Sequence, residues 1–282
     1  MCGIATISIG RKTRKMIPYG IIRDLVSELL VELEVRGNDA AGLAVINDSD
    51  SSPSLVFKKP LRPSCLVVRP KFKESLESIG PETNFILLHA RAATVGNNRD
   101  NFNNHPIIIP GCVGIHNGTL RNHLALFWKH EEDFKQLGDV DSEIIFQLYK
   151  YHVSRGLESQ DAIQTVAESL NGAFTGALVD LKHRHRLVMF KYERTLALIT
   201  IPHYDIVLAI SEPCFYARVA DRLGIKAKAT CQLVKEGTGI IIDLNTKGRI
   251  TNDIKLFELP VAYAGEGKMK HSNWLSTYES IH

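Results

Sequence analysis

What this sequence lacks narrows it first. Its 282 residues hold five cysteines, Cys2, Cys65, Cys112, Cys214 and Cys231. The number is odd, no two have Cys-X-X-Cys spacing, and no His pair stands at zinc-finger distance, which argues against a disulfide framework and a structural zinc. No apolar run approaches the ~20 residues that a membrane-crossing helix needs. No N-terminal stretch has the basic, apolar, small-residue order of an export signal. The expectation is a chain that neither spans a membrane nor leaves a reducing cytoplasm. A formal net charge of +3 is too mild to indicate nucleic acid. Two basic clusters, Arg11-Lys12-Thr13-Arg14-Lys15 and Lys182-His183-Arg184-His185-Arg186, sit between apolar runs and read as solvated turn tips. There is no internal repeat and no low-complexity block, and no cluster implies a metal or an organic cofactor.

What is present is enough apolar residue, 44%, to bury a full core. The expected organisation is one domain over residues 1–258 and a polar tail over 259–282. The chain starts Met1-Cys2-Gly3-Ile4 and continues as an apolar, strand-like run to Ile9. A cysteine that becomes the first residue after removal of Met1 carries a thiol and a free α-amine on one carbon skeleton. The amine has a reference pKa of about 7.7–8 and can accept a proton directly or through a water. The thiol is a few per cent thiolate at neutral pH and needs little more activation. Gly3 would let backbone approach the nucleophile closely. Retention of Met1 would turn that amine into an amide and remove the base.

Further along, Ile22, Leu25, Val26, Leu29, Leu30 and Leu33 mark the buried face of an amphipathic helix. The small residues Ala40–Ile46 read as a strand with Leu55 to Lys58 as its partner, and Asn47 to Pro53 as a polar turn between them. Phe72 to Ile79 reads as a short helical patch, and Asn84–Arg91 as an apolar strand ending on polar groups. An Asn-rich loop to His105-Pro106 follows, the kind of segment where substrate contacts collect. Gly111–Gly118 reads as a strand running into a sharp turn, with His116-Asn117-Gly118 at the tip. Asn117-Gly118 alone would also fit a plain hairpin turn. Asp141 is placed to cap the helix that Asp141-Ser142-Glu143 opens. A second helix spans about 159–170 and another 213–223, with strands near 174–181, 187–191, 196–200, 206–211, 232–244 and 250–256. Strands in two groups with helices between them suit two packed sheets covered by helices.

Five segments in this order resemble one family. They are Cys2-Gly3-Ile4; Arg36-Gly37-Asn38-Asp39-Ala40-Ala41-Gly42; His89-Ala90-Arg91-Ala92-Ala93-Thr94; Asn104-His105-Pro106 with His116-Asn117-Gly118; and Asp141-Ser142-Glu143. Together they resemble the class II glutamine amidotransferases of the Ntn-hydrolase superfamily, in particular the glutaminase domain of the sugar-phosphate synthases. The resemblance covers roughly Cys2 to Leu256 and implies an α+β fold, a four-layer αββα sandwich. It implies that Cys2 attacks the side-chain amide of L-glutamine and that Asn117 and the Gly118 N–H form the oxyanion hole. Arg91 would clamp the substrate carboxylate, Asp141 would hold its ammonium, and backbone near Thr94 or Gly96 would complete the pocket. Arg36, Asp39 and His105 would support the site from behind.

The chain departs from the family pattern at Ala90, Ala92 and Val95, which stand where the synthases have Thr, Trp and His. The glutamine pocket is therefore expected to be more lightly packed. Few residues follow Leu256, so the expectation is a glutaminase subunit without its acceptor half, passing ammonia to a separate synthase, with a homo-oligomer left open. Two other readings stand beside it: an amidohydrolase acting on another γ-glutamyl or amide compound, and a domain that binds an amino acid or protein without turnover. His89 and His116 read as structural, and Cys65, Cys112, Cys214 and Cys231 as incidental.

Overall fold

The computed structural model describes residues 1–49, 54–245, 248–260 and the strand Leu275–Thr277. The end of the Asn47–Pro53 turn and most of the expected tail lie outside the described residues. Fourteen strands of these residues form two antiparallel sheets. The first contains β1 (Gly3–Ile9), β2 (Ala40–Asn47), β3 (Leu55–Lys59), β4 (Thr83–Arg91), β9 (Ala197–Ile201), β10 (Ile206–Ile210), β11 (Thr230–Val234) and β14 (Leu275–Thr277). Its order is β14-β11-β9-β10-β1-β4-β2-β3, which puts β1 in the middle. The second sheet contains β5 (Ile107–Ile109), β6 (Cys112–Leu120), β7 (Gly172–Asp180), β8 (Arg186–Tyr192), β12 (Thr238–Asp243) and β13 (Ile254–Glu258), in the order β13-β12-β8-β7-β6-β5.

The period-2 alternation of each strand assigns its faces. On β1, Ala5, Ile7 and Ile9 pack outward against Ile22, Leu25, Val26 and Leu29 of α1 (Tyr19–Glu32) and Phe215 and Val219 of α7 (Pro213–Arg222). Ile4 points the other way, with Ala44 and Ile46 of β2 and Phe85 and Leu87 of β4, into a core shared with Val113, Ile115, Val179 and Met189 of the second sheet. That sheet's outer face carries Phe174, Leu178 and Phe190 against α5 (Glu143–Ser154) and α6 (Ser159–Ser169). Three apolar cores therefore separate four layers, helix, sheet, sheet and helix, the αββα sandwich expected. Each fully buried Leu or Ile contributes about 1.5–3 kcal/mol to holding the layers in place.

The helices and strands expected from periodicity are present. Three short elements had no strong pattern: α2 (Pro63–Leu66), α4 (His123–Lys129) and β5. The stretch 232–244 is two strands in different sheets, β11 and β12, and Ile250–Asn252 is a 3-10 turn ahead of β13. The structure corrects three local readings. Arg14, in the basic cluster read as a solvated turn tip, is buried and donates to the Ile9 carbonyl and to Asn84 Oδ1. Asn117 and Gly118 lie inside β6, paired with Thr175 and Phe174 of β7, and are not a hairpin turn. The residue preceding α5 is Ser142, and Asp141 spends its carboxylate on the Leu120 N–H instead of capping the helix. Among the described residues no helix is long and apolar enough to cross a membrane.

Candidate active site

The centre of the site is the start of β1. In the β1–β4 register Gly3 faces Ala90, so Cys2 falls beside Arg91, the last residue of β4. The Cys2 thiol lies 3.6 Å from the Ala92 carbonyl. Burial pushes the thiol above its ordinary pKa, Arg91 and the chain's amino terminus pull it back, and Asp141 adds to the rise. A thiol held protonated at neutral pH needs a base. Gly3 cannot carry a side chain, because a Cβ would come within 2.9 Å of the Leu33 carbonyl. Met1 is present and exposed.

Arg36, only 10% exposed along its side chain, donates from Nε to the Cys2 carbonyl at 3.0 Å and from Nη1 to Glu212. Asp39 accepts from the Ala93 N–H at 2.7 Å and donates its own N–H to the Arg91 carbonyl at 3.0 Å. Both expected supports thus hold backbone that flanks the thiol, Arg36 from below and Asp39 at the β4 exit.

Arg91 is buried, and its guanidinium is already engaged. Nη1 donates to Asn104 Oδ1 at 2.8 Å, and Nη2 donates to the carbonyls of Val95 at 2.5 Å and Gly96 at 3.0 Å. Gly96 therefore acts here through its carbonyl, while Thr94 is exposed at the rim. Asn104 is in turn held by Lys58, whose Nζ donates to the Asn104 carbonyl at 2.6 Å. Burial lowers the Lys58 pKa to about 8.

Asn117 and Gly118 approach from the second sheet. Asn117 shares its face of β6 with Val113 and Ile115, which fill the inter-sheet core, so its side chain enters the same layer as Cys2. It is 1% exposed, and its Nδ2 has no hydrogen-bond partner among the described residues. Backbone groups along an antiparallel strand alternate sides. The Arg121 N–H bonds to Asn171 and the Gly111 carbonyl to Leu181, on the β7 side, while the Leu120 N–H turns the other way, to Asp141 Oδ2 at 2.7 Å. Gly118 shares the parity of Leu120, so its N–H faces the open edge of β6, beyond the reach of the short β5. A Cβ at Gly118 would fall 1.9 Å from the Ala173 carbonyl, so only glycine fits. Two donors, one side chain and one backbone, thus lie at the same end of β6, and Asn117 Nδ2 has no partner among the described residues.

Three buried histidines lie behind these groups. His89 donates from Nε2 to the His116 carbonyl at 3.0 Å and stacks on His105 with ring centroids 4.0 Å apart. Burial depresses the pKa of His89 to about 3 and that of His105 well below the usual value, so both are neutral and weak proton acceptors at neutral pH. His105 packs against His89 of Arg91's strand. His116 faces the Ala173 carbonyl at 3.4 Å through Nε2 and the Ser142 hydroxyl at 2.8 Å through Nδ1, tying β6 to the start of α5 where Asp141 sits. Among the described residues no group of three or more His, Cys, Asp or Glu could hold a metal ion. Sequence reasoning missed Glu212, Lys58 and Ser211, since a lone acid before a helix or a lysine on an edge strand has no local signature.

A buried thiol, a cation beside it and the Asn117 and Gly118 donors are thus set in an αββα sandwich. Comparison with known proteins finds the chain similar to class II glutamine amidotransferases, enzymes with an N-terminal cysteine. No family model matches the chain. It is 26% identical over 249 residues, 86% of this chain, to the glutamine–fructose-6-phosphate aminotransferase (isomerizing) of Staphylococcus aureus, and 27% identical over 197 residues to that of Staphylococcus epidermidis. Those matches span 38% and 30% of the relatives, so the chain accounts for about a third of their length. Among solved structures, the glutamine phosphoribosylpyrophosphate amidotransferase from B. subtilis shares the fold with a TM-score of 0.66 at 19% identity, over 92% of this chain and 49% of that one.

Proposed function

We propose that this chain is a glutaminase that hydrolyses L-glutamine to glutamate and ammonia through a γ-glutamyl thioester on Cys2, and that the ammonia goes to an acceptor enzyme on another chain, in the cytoplasm. The observation that carries the reading is the Asn117 amide, buried without a partner among the described residues at the end of the sandwich where β1 carries Cys2. A buried donor left unpaired costs about 1–3 kcal/mol in the resting protein, and an oxyanion formed only during reaction is the partner that explains keeping it.

With Met1 removed, the α-amine of Cys2 takes the thiol proton as sulfur adds to the side-chain carbonyl of glutamine. Negative charge moves onto the carbonyl oxygen, where Asn117 Nδ2 and the Gly118 N–H meet it. Collapse breaks the C–N bond, the α-ammonium returns the proton, and ammonia leaves a thioester. Water, deprotonated by the same amine, then attacks the thioester and releases glutamate and the thiol. Arg91 holds the substrate carboxylate as a planar fork, Asp141 holds the ammonium, and backbone at Thr94 and Gly96 closes the pocket.

The test is intact mass and ammonia release, with Cys2→Ala beside the parent chain, followed by labelling with a glutamine-like diazoketone. Loss of Met1, one adduct on Cys2 and no turnover by Cys2→Ala are expected. Ammonia release by Cys2→Ala would overturn the reading. Turnover of larger γ-glutamyl amides with none of glutamine would reassign the substrate, which the small Ala92 and Val95 side chains would then accommodate.

A further inference from the structure

The strand that carries Cys2 is held by the segment that leaves its neighbouring strand, β10. Ser211, just past the end of β10, accepts from the Ile4 N–H at 2.8 Å through its hydroxyl, which also donates to the Ile4 carbonyl at 3.0 Å, and its own N–H donates to the same carbonyl at 3.0 Å. The next residue, Glu212, pairs with Arg36, and Arg36 donates to the Cys2 carbonyl. Two consecutive residues therefore grip the nucleophile's strand on both sides of Gly3. Glu212 also occupies the N-cap position of α7, where a short Ser, Thr, Asp or Asn would satisfy helix N–H groups. Its side chain makes no cap bond. The carboxylate turns away from the helix and onto Arg36, leaving the helix without that stabilisation in exchange for a fixed guanidinium under Cys2.

Resting on the glutaminase reading above, we propose that Glu212 is a positioning residue for the Cys2 nucleophile, acting through Arg36. Without the carboxylate, the Arg36 guanidinium keeps only the Cys2 carbonyl itself as a partner on this side and is no longer pinned against it. The Cys2 carbonyl then loses its anchor, and the first residue of the chain swings at the pivot of Gly3. A thiol that wanders by about an ångström loses its aligned approach to the amide carbon. It also leaves the buried place that keeps it protonated. Catalysis and simple thiol reactivity should therefore move in opposite directions, which a loss of fold would not produce.

The experiment uses the full chain, with removal of Met1 checked by mass, and compares Glu212→Gln, Arg36→Met and the double variant. The readouts are kcat and KM for glutamine, and the rate of iodoacetamide alkylation of the Cys2 peptide from pH 6 to 10, mapped separately from the exposed Cys65 and Cys214. Glu212→Gln is expected to lower kcat about tenfold, in line with loss of one charge-assisted hydrogen bond, with KM unchanged. Cys2 alkylation should become faster, with its pH midpoint moved down. The double variant should be no worse than Arg36→Met alone, and Glu212→Asp, which keeps the charge on a shorter arm, should fall between parent and Glu212→Gln. Unchanged kcat and alkylation, a loss of kcat with unchanged alkylation, or full additivity with Arg36→Met would each overturn the proposal. The alkylation arm needs no turnover, so a chain inactive on glutamine still tests the positioning role while failing the functional one.

Discussion

Asn117→Ala separates the role of the buried amide from its place in the fold. If Nδ2 is an oxyanion donor, its loss raises the barrier by about 2.7–4 kcal/mol, or a 10²–10³ drop in kcat. The effect on stability should run the other way or vanish. Among the described residues Nδ2 has no partner, so removing it orphans no other group and relieves at most about 1–3 kcal/mol of unpaired burial. The small gap left by the amide takes back ~1 kcal/mol. The expected balance lies between no change and about 2 kcal/mol of added stability. An amide serving the fold would give the opposite result, because deletion would then orphan whatever it bonded. The measurements are steady-state ammonia release and denaturant unfolding without glutamine. A kcat within threefold of the parent, or a loss of more than about 1.5 kcal/mol of stability, would refute the reasoning. Asn117→Asp sharpens the contrast, since it keeps the shape but sets an acceptor against the developing charge, and should fall below Asn117→Ala in rate.

Gly118→Ala should lose both fold and activity, since its methyl would meet the Ala173 carbonyl at 1.9 Å; we expect at least ~3 kcal/mol of destabilisation in the same unfolding assay. Asp141→Asn should keep the Leu120 N–H bond through its amide oxygen yet raise KM for glutamine at least tenfold, whereas Asp141→Ala should also lower the unfolding midpoint, because it orphans that N–H. Lys58 gives a pH signature with a definite sign. Its folded pKa of about 8 lies below the ~10.4 of an unfolded lysine, so between these values the unfolded chain binds more protons and stability rises with pH. Below pH 8 the charged amine imposes its full penalty, at most ~3 kcal/mol. Denaturation from pH 6 to 10.5 should show the parent gaining stability relative to Lys58→Met as pH climbs through this window; a constant difference would sink the assignment.

Much of the fold could be read from periodicity because β1, β2, β4 and α1 combine clear patterns with clear ends. Ile4 and Ile7 face opposite layers, and a period of two predicts as much. The failures occurred where a residue's partner is distant in sequence. Asn117-Gly118 has the composition of a turn, but β7 lies about sixty residues later and extends the strand through both. Asp141 has the composition of a cap, but the unpaired N–H of Leu120 on the open edge of β6 claims its carboxylate. Glu212 and Arg36 are 176 residues apart, and nothing local announces their pairing. The candidate site was legible as a set of residue types, while the hydrogen bonds that orient them had to be seen.

The two halves of the site handle an absent substrate differently, and charge explains why. A guanidinium buried without partners is far more costly than a neutral amide in the same position. Arg91 is accordingly satisfied in advance, by Asn104 and by the carbonyls of Val95 and Gly96, and a carboxylate arriving there must exchange with the Val95–Gly96 loop. Asn117 is neutral and can be left unpaired at a tolerable cost. Under the proposed function, binding strength would be set on the first sheet, by how readily that loop yields and how firmly Lys58 holds Asn104. The height of the barrier would be set on the second, by a donor with no partner to release among the described residues. Changes along 91–104 should therefore register in KM and changes at 117–118 in kcat, because preorganisation is affordable for a neutral dipole and not for a buried cation.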